Sequence, residues 1–262
     1  MSNQKVQLIG IPFDAKSSYQ RGTSLGPNRI REELASDAYN AYDERLNKVL
    51  GEDIIMDSGN IEASTFEKIY PDLMQILDDR KKPLFLGGDH SITFPLMQSL
   101  FEKHGPINIL HIDAHSDLYP DYFGDPYSHA CPFARIMENG FCSSLIQVGI
   151  RARTPYQQEM IEKYGVEVYT MDRLQEVDIS NLQGPLYISL DLDGIDPAFA
   201  PGVSHREAGG LSPRQVISML HQIEVPVVGA DLVEFNPLND SVGITATLSA
   251  KLVKELIGAM LQ

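Results

Sequence analysis

Two short segments of the sequence crowd carboxylates at alternate positions. HIDAHSDLYP contains Asp113, His115 and Asp117, and DLDGIDP contains Asp191 and Asp193. Side chains two residues apart on extended backbone point the same way, so each set can converge. Buried carboxylates without partners repel one another and are costly. Because two divalent cations about 3.5–4 Å apart can share bridging carboxylates and a bridging hydroxide, the two segments together predict a binuclear metal site.

Two further segments carry weaker signals. GGDHS contains Asp89 and His90, and DLVEFNP contains Asp231 and Glu234. A single Asp where a strand ends is usually a turn former or a helix cap, and this is the role expected for Asp89, Asp231 and also Asp196. GGDHS alone does not distinguish a functional histidine from a structural one. The combined set is rich in carboxylates and has no thiolate, which favours Mn²⁺ over Zn²⁺.

Each of these segments follows a short apolar run, as expected for a strand that is covered on both faces. The predicted strands are Val6–Ile9, Asp53–Met56, Pro83–Leu86, Ile107–Ile112, Leu145–Val148, Glu167–Tyr169, Leu186–Leu190 and Val227–Ala230. The predicted helices are Pro27–Leu34, Thr65–Asp79, Ile92–Lys103, Phe133–Glu138, Pro155–Tyr164, Pro213–Gln222 and Ile244–Met260. The alternation predicts a parallel sheet with helices on its faces, either open or closed into a barrel. Both folds place their chemistry at the carboxyl ends of the strands.

Composition restricts the classes of partner and location. The 262 residues contain no repeat, low-complexity tract or linker, so a single domain spanning residues 1–262 is expected. A formal charge of −15 argues against a nucleic-acid or anionic-membrane partner. Cys131 and Cys142 are too few for a disulfide framework, and no long apolar stretch or basic-then-apolar N-terminus indicates a membrane span or secretory signal. A cytoplasmic location is therefore expected.

In their order and separations, GGDHS, DAHSD, SLDLDGIDPAFAPG and EFNP resemble the ureohydrolases, the family of arginase and agmatinase, over essentially the whole chain. GTSLGPNRIR resembles the family's early segment, and YSHACPFARIMENG and APGVSHREAGGLS look most like plant-type arginases. The resemblance implies a three-layer α/β/α fold with a central, mainly parallel eight-stranded sheet. It also implies two Mn²⁺ per chain, with Ni²⁺ or Co²⁺ as alternatives, and a homo-oligomer, usually a trimer or hexamer.

The resemblance further implies roles for individual residues. The residues that match the family's metal ligands are His90, Asp113, Asp117 and Asp191 for the first metal, and His115 and Asp193 for the second, with Asp113 and Asp191 bridging both. Glu234 matches the guanidinium-binding Glu, since a carboxylate can hold a planar guanidinium by paired hydrogen bonds. His129 matches the active-site His and is the candidate proton shuttle. Asp117 is expected to be a catalytic residue as well as a metal ligand, together with Glu234 and His129.

Several residues near these motifs have two interpretations. Cys131, where plant-type relatives have Ser, is expected to be a small buried hydrophobe, and the alternative is a nucleophile acting with His129. His205, in VSHRE, either contacts the substrate together with His129 and Glu234 or lies on the surface. Arg151 and Arg153 either anchor a substrate carboxylate or form ion pairs at a subunit contact.

The predicted activity is hydrolysis of a small guanidino compound, in which a metal-bridging hydroxide attacks the guanidinium carbon and urea is released. L-Arginine, giving L-ornithine, is the first choice of substrate. Agmatine, giving putrescine, is the second, and other guanidino or formimino acids are further alternatives. A deacetylase-like hydrolase would need one zinc and paired histidines, whereas this chain has His115-Ser116. A non-catalytic family member would be expected to lack ligands, and none of the six is missing.

Overall fold

The centre of the molecule is an open, eight-stranded sheet in which every strand pair is parallel. A computed structural model describes residues 5–179 and 182–262. Its strands are β1 (Val6–Ile11), β2 (Ile55–Asn60), β3 (Lys82–Gly87), β4 (Ile107–Ile112), β5 (Cys142–Ile150), β6 (Glu167–Thr170), β7 (Leu186–Asp191) and β8 (Val227–Val233). The strand order is β2-β1-β3-β8-β7-β4-β5-β6. The four strands that precede the acidic segments, β3, β8, β7 and β4, are therefore neighbours at the middle of the sheet.

Helices cover both faces of this sheet. They are α1 (Gly26–Leu34), α2 (Phe66–Ile76), α3 (Thr93–His104), α4 (Pro132–Glu138), α5 (Pro155–Tyr164), α6 (Pro213–His221) and α7 (Ile244–Met260). Thr154 and Ser212 begin α5 and α6 with capping boxes followed by Pro. No helix among the described residues is long and apolar enough to cross a membrane.

Successive residues of the strands pack into two separate cores. Leu84 and Leu86 of β3 belong to the cluster that contains Leu256 of α7, whereas Phe85 belongs to the cluster that contains Leu96 of α3. Because neighbouring side chains of a strand point to opposite faces, a sheet buried on both faces needs apolar residues at consecutive positions. This packing confirms the expected three-layer α/β/α arrangement and excludes the barrel.

All predicted strands and helices are present, with ends that agree within a few residues. One difference matters for the site, because β8 extends past its predicted end and includes Asp231. The sequence placed Asp231 after the strand, as a turn former or cap, whereas β8 continues to Val233 and encloses it. The Asp231 carboxylate is fully buried and accepts hydrogen bonds from the hydroxyls of Thr93, Tyr187 and Ser189, each at 2.8 Å. Because these hydroxyls satisfy it, the carboxylate can remain inside the sheet. The expected role was therefore wrong for Asp231.

Candidate metal centre

The six predicted ligands meet at the carboxyl ends of β3, β4 and β7. His90 begins a single 3-10 turn after β3, which Asp89 caps by accepting the backbone N–H of Ser91. Gly88 lets the chain approach Phe13 closely, because a Cβ at this position would lie 1.7 Å from the Phe13 carbonyl oxygen. Asp89 is thus a cap, as expected, and it holds His90 at the edge of the sheet.

The alternation that the sequence showed at Asp113, His115 and Asp117 is not an extended strand. β4 ends at Ile112, and the chain then bends, with Asp117 in the left-handed region at φ 49°. The three side chains converge because of this loop rather than because of the pleat of a strand. A left-handed non-glycine residue is uncommon and often marks a functional site, and Glu234 shares this conformation at φ 63°.

The first group of ligands surrounds His90. Its Nδ1 lies 3.2 Å from Asp113 Oδ2, 3.2 Å from Asp117 Oδ2 and 3.0 Å from Asp191 Oδ2. This nitrogen is buried and forms no aligned hydrogen bond with any described residue. A buried nitrogen that faces three carboxylate oxygens without a hydrogen bond is the arrangement expected where a cation is shared among them.

The second group surrounds His115. Its Nδ1 lies 3.1 Å from Asp193 Oδ2 and 3.5 Å from Asp113 Oδ1. Asp113 thus directs Oδ2 towards His90 and Oδ1 towards His115. The ligand atoms of Asp113, His115 and Asp193 all lie within 4.8 Å of one another. Asp113 is thus common to the group around His90 and the group around His115.

The other ring nitrogen of His90 is held by a hydrogen bond to a serine hydroxyl. Nε2 lies 3.0 Å from Ser189 Oγ, and the Ser189 hydroxyl donates to Asp231 at 2.8 Å. Because that hydroxyl proton goes to Asp231, Ser189 accepts from the Nε2–H of His90. The lone pair of Nδ1 is then directed at the three carboxylates, which is the orientation that a metal-binding imidazole requires.

His111 lies in the same region but is not available as a ligand. Its ring atoms cluster with those of His90 and Asp113. However, Nε2 lies 2.7 Å from Asp113 Oδ2, and Nδ1 lies 3.0 Å from the side-chain nitrogen of Gln147. The ring also stacks on Phe133 at a centroid distance of 3.9 Å. With both nitrogens occupied, His111 supports Asp113 rather than joining it.

The charges at this site fit divalent cations. Burial and the charges of Asp193 and Asp113 raise the pKa of Asp191 well above its ordinary value. Burial raises the pKa of Asp193 to about 7, and the charge of Asp113 adds to this against the attraction of His115. The protein alone therefore does not favour full ionisation of these carboxylates, whereas a pair of cations would. Oxygen-rich donors with one imidazole in each group are a suitable set for a divalent transition metal.

Beside the acids lies a pair formed by His129 and Glu234. His129 Nδ1 lies 3.3 Å from Glu234 Oε1, and Nε2 lies 2.8 Å from Ser18 Oγ. Burial opposes protonation of His129, but the hydrogen bond to Glu234 and the charge of that carboxylate raise its pKa to about 9. Glu234 Oε1 also accepts the backbone N–H of His90 at 2.9 Å. At neutral pH His129 therefore carries a proton on both nitrogens.

A cavity of about 460 Å³ opens onto these groups. It is lined by Ser18, His115, Asp117, Tyr119, Tyr122, His129, Ala130, Arg151, Ala152, Arg153, Thr154, Gln157, Asp191, Asp193, His205 and Glu207. His205 therefore belongs to the cavity wall, where its ring stacks on His129 at a centroid distance of 5.1 Å. Burial and the charge of His129 lower the pKa of His205. Among the described residues, Glu234 is almost fully buried and does not line the cavity, although its partner His129 does.

Cys131 is separated from this chemistry by burial. Its side chain is fully buried, with Sγ 3.7 Å from the carbonyl oxygen of Asp125. Burial and then the charge of Asp117 raise the pKa of the thiol to about 12, so the sulfur is a neutral thiol at physiological pH. This environment favours the interpretation of Cys131 as a small buried hydrophobe over that of a nucleophile.

The sequence did not reveal the groups that support and surround the ligands. Ser189 and Gln147 are polar residues inside apolar strands, and this signal could have identified them. Ser18 and Glu207 come from loops whose fold cannot be predicted from local pattern. Their positions depend on contacts between distant parts of the chain, such as the bond between Ser18 and His129, 111 residues apart.

Comparison with known proteins agrees with this geometry. The model of the arginase family matches residues 4–258. The sequence is 42% identical to arginase 1, mitochondrial, of Arabidopsis thaliana, over 95% of this chain and 79% of that protein. It is 34% identical to the agmatinase of Bacillus subtilis, over 95% of this chain and 90% of that protein. The fold matches a solved arginase from Medicago truncatula with a TM-score of 0.92 at 40% identity, covering 98% of this chain and 88% of the other.

Proposed function

Because this chain belongs to the arginase family, we propose that it hydrolyses the guanidino group of L-arginine, giving L-ornithine and urea. The observation that carries this proposal is the division of six buried or half-buried ligands into two groups that share Asp113. Agmatine is the second candidate substrate, because an agmatinase is also among the similar proteins.

The proposed cofactor is a pair of Mn²⁺ ions, with Ni²⁺ or Co²⁺ as alternatives. His90 and Asp117 would hold one ion, His115 and Asp193 the other, and Asp113 and Asp191 both. When bound, such a pair polarises the substrate and activates water at neutral pH. Ser189 orients His90, and His111 orients the shared carboxylate of Asp113, each through a hydrogen bond. The protein therefore determines where the ions lie.

The proposed catalytic residues other than the ligands are His129 and Glu234. The raised pKa of His129 means that it holds a proton at neutral pH, which it can give to the leaving amine as urea separates. Among the described residues, both side-chain hydrogen bonds of Glu234 use Oε1, which leaves Oε2 for a donor of the guanidinium.

A substrate panel tests the proposal. Purified protein loaded with Mn²⁺, Ni²⁺ or Zn²⁺ is assayed for urea from L-arginine, agmatine and 4-guanidinobutyrate, and for formamide from formiminoglutamate. We expect the highest kcat/KM with Mn²⁺ and L-arginine, and loss of turnover in Asp113→Asn. Absence of product from every compound would overturn the proposed activity, and full activity in Asp113→Asn would overturn the shared role of that carboxylate.

We also propose a cytoplasmic homo-oligomer, a trimer or hexamer. The location rests on composition alone, and the Arabidopsis relative is named as mitochondrial. The oligomeric state rests on the resemblance to the family. Light scattering of the purified protein would give the number of subunits, and a monomer at micromolar concentration would contradict this part of the proposal.

A further inference from the structure

The mouth of the cavity carries two charged side chains that the proposed chemistry does not use. Arg153 is exposed and Glu207 is half-buried, whereas Asp191 and Asp193 at the inner end are buried. A substrate that places its guanidinium among the acids would direct its other end towards this mouth. The chemistry of the mouth therefore bears on which guanidino compounds are accepted.

Arg151 is not available for a ligand, although it also lines the cavity. Its Nε donates to the Glu207 carbonyl at 3.1 Å. One terminal nitrogen donates to the carbonyls of Gly149 and Gly194, and the other to those of Asp193 and Glu207, at 2.7–3.1 Å. A guanidinium has five N–H donors, and all five are used here. Arg151 is thus a clamp that fixes the main chain of the loop that carries Glu207.

Arg153 is in the opposite situation. Within the described part of the chain, its one side-chain hydrogen bond runs from Nη1 to Gln158 Oε1 at 2.8 Å, which leaves donors on Nε and Nη2. Among residues 5–179 and 182–262, no carboxylate lies within 4.0 Å of this guanidinium. A planar guanidinium with free adjacent donors is suited to a carboxylate, which it can hold through two parallel hydrogen bonds.

Glu207 provides the opposite charge. Its carbonyl is held by two hydrogen bonds from Arg151, so its backbone is fixed. Its side chain is 46% exposed, and the only cationic group within 4.0 Å in the described chain is His115, whose Nε2 lies 4.0 Å from Oε1. This carboxylate is therefore available to a substrate ammonium group.

We propose that Arg153 and Glu207 together recognise the zwitterionic head of an α-amino acid, with Arg153 binding the carboxylate and Glu207 the ammonium group. This assignment rests on the proposed function, because it supposes that the guanidinium occupies the acidic end of the cavity. L-Arginine satisfies both residues, agmatine satisfies only Glu207, and 4-guanidinobutyrate satisfies only Arg153. The two residues are specificity-determining and take no part in the bond-breaking step.

Two variants and three substrates test this assignment. In Arg153→Gln, we expect kcat/KM for L-arginine and 4-guanidinobutyrate to fall by about 10-fold or more, mainly through KM, and that for agmatine to change by less than about 2-fold. In Glu207→Gln, we expect kcat/KM for L-arginine and for agmatine to fall by a similar factor. The value for 4-guanidinobutyrate should be unaffected. Calorimetric titration gives a readout without turnover, since Arg153→Gln should weaken binding of L-ornithine but not of putrescine.

The matched control is Arg173→Gln. Arg173 is an exposed arginine outside the cavity, paired with Glu176. Its replacement should leave kcat/KM for all three substrates unchanged. The assignment of Arg153 is wrong if Arg153→Gln lowers kcat/KM for all three substrates alike or leaves that for L-arginine unchanged. It is also wrong if the unmodified protein turns over agmatine alone. The corresponding failure in Glu207→Gln would overturn the role of Glu207. If the unmodified protein releases no urea from any of the three, it is the proposed function that fails.

Discussion

At the scale of single residues, the hydrogen-bond partners of Gln147 determine where the proton of His111 resides. The carbonyl of Ser116 can only accept, so the amide nitrogen of Gln147 must face it, at 2.7 Å. The same nitrogen lies 3.0 Å from His111 Nδ1 and donates its second hydrogen there. Nδ1 is therefore unprotonated, and the ring donates Nε2–H to Asp113 Oδ2 at 2.7 Å. Gln147 thus positions the shared carboxylate through His111.

Replacing Gln147 with Met tests this relay while keeping the size of the side chain. Without the amide donor, Nδ1 of His111 can take the proton, and Nε2 would then present a lone pair to Asp113. We expect a loss of about 10–100-fold in Mn²⁺ affinity, the usual cost of losing a group that orients a ligand. Metal titration followed by calorimetry measures the affinity, and ¹⁵N NMR of histidine-labelled protein shows which nitrogen of His111 is protonated.

The comparison for this variant is Gln75→Met, at an exposed glutamine whose side chain donates to the Pro71 carbonyl of its own helix. That change should alter neither metal affinity nor the histidine spectrum. Unchanged Mn²⁺ affinity in Gln147→Met, together with a His111 that keeps its proton on Nε2, would show that Gln147 is not needed for the relay.

At the scale of elements, the apolar runs predicted the strands well because a sheet covered on both faces selects apolar residues at nearly every position. The exceptions to that pattern carry the information about the site. Gln7, His111, Gln147, Ser189 and Asp231 are polar, lie inside strands and are fully buried. All but Gln7 contact a predicted ligand or a residue that contacts one. A buried polar residue requires a partner, but the sequence does not show which partner it has.

The loops beyond the strands were less predictable. The prediction that Asp113, His115 and Asp117 converge was correct, but the extended backbone invoked for it was not, since the chain bends after Ile112. The left-handed conformations of Asp117 and Glu234 have no sequence signal, because neither residue is glycine. Such conformations depend on surrounding contacts, for example the Glu234 backbone N–H bonded to the Gly88 carbonyl at 2.9 Å. For this reason the ligands could be identified from the sequence, but the shape of the cavity could not.

At the scale of the whole molecule, the candidate site joins loops from strands that are far apart in the sequence. His90 follows β3, Asp113 follows β4, and Asp191 ends β7, and these strands lie in the central part of one sheet. On the neighbouring strands β4 and β7, the charge of Asp113 disfavours ionisation of Asp191 when no cation is present. Cations would convert the same contacts into attractions, so metal binding and the stability of the sheet should be linked.

We therefore expect removal of metal to lower the apparent Tm of the protein. A ligand at 100 times its Kd stabilises the folded state by about 2.7 kcal/mol. In a protein of this size, each kcal/mol of added stability raises Tm by about 2–4 °C. Protein dialysed against a chelator should gain about 5–10 °C when Mn²⁺ is restored, as measured by calorimetry. In Asp191→Asn, the metal-free protein should be at least as stable as the metal-free parent, because a buried carboxyl group whose ionisation is disfavoured there is replaced by a neutral amide, and Mn²⁺ should raise its Tm by less. If Mn²⁺ leaves the Tm of the parent unchanged, or if Asp191→Asn gains as much as the parent does, the acids at the centre of the sheet do not hold the metal.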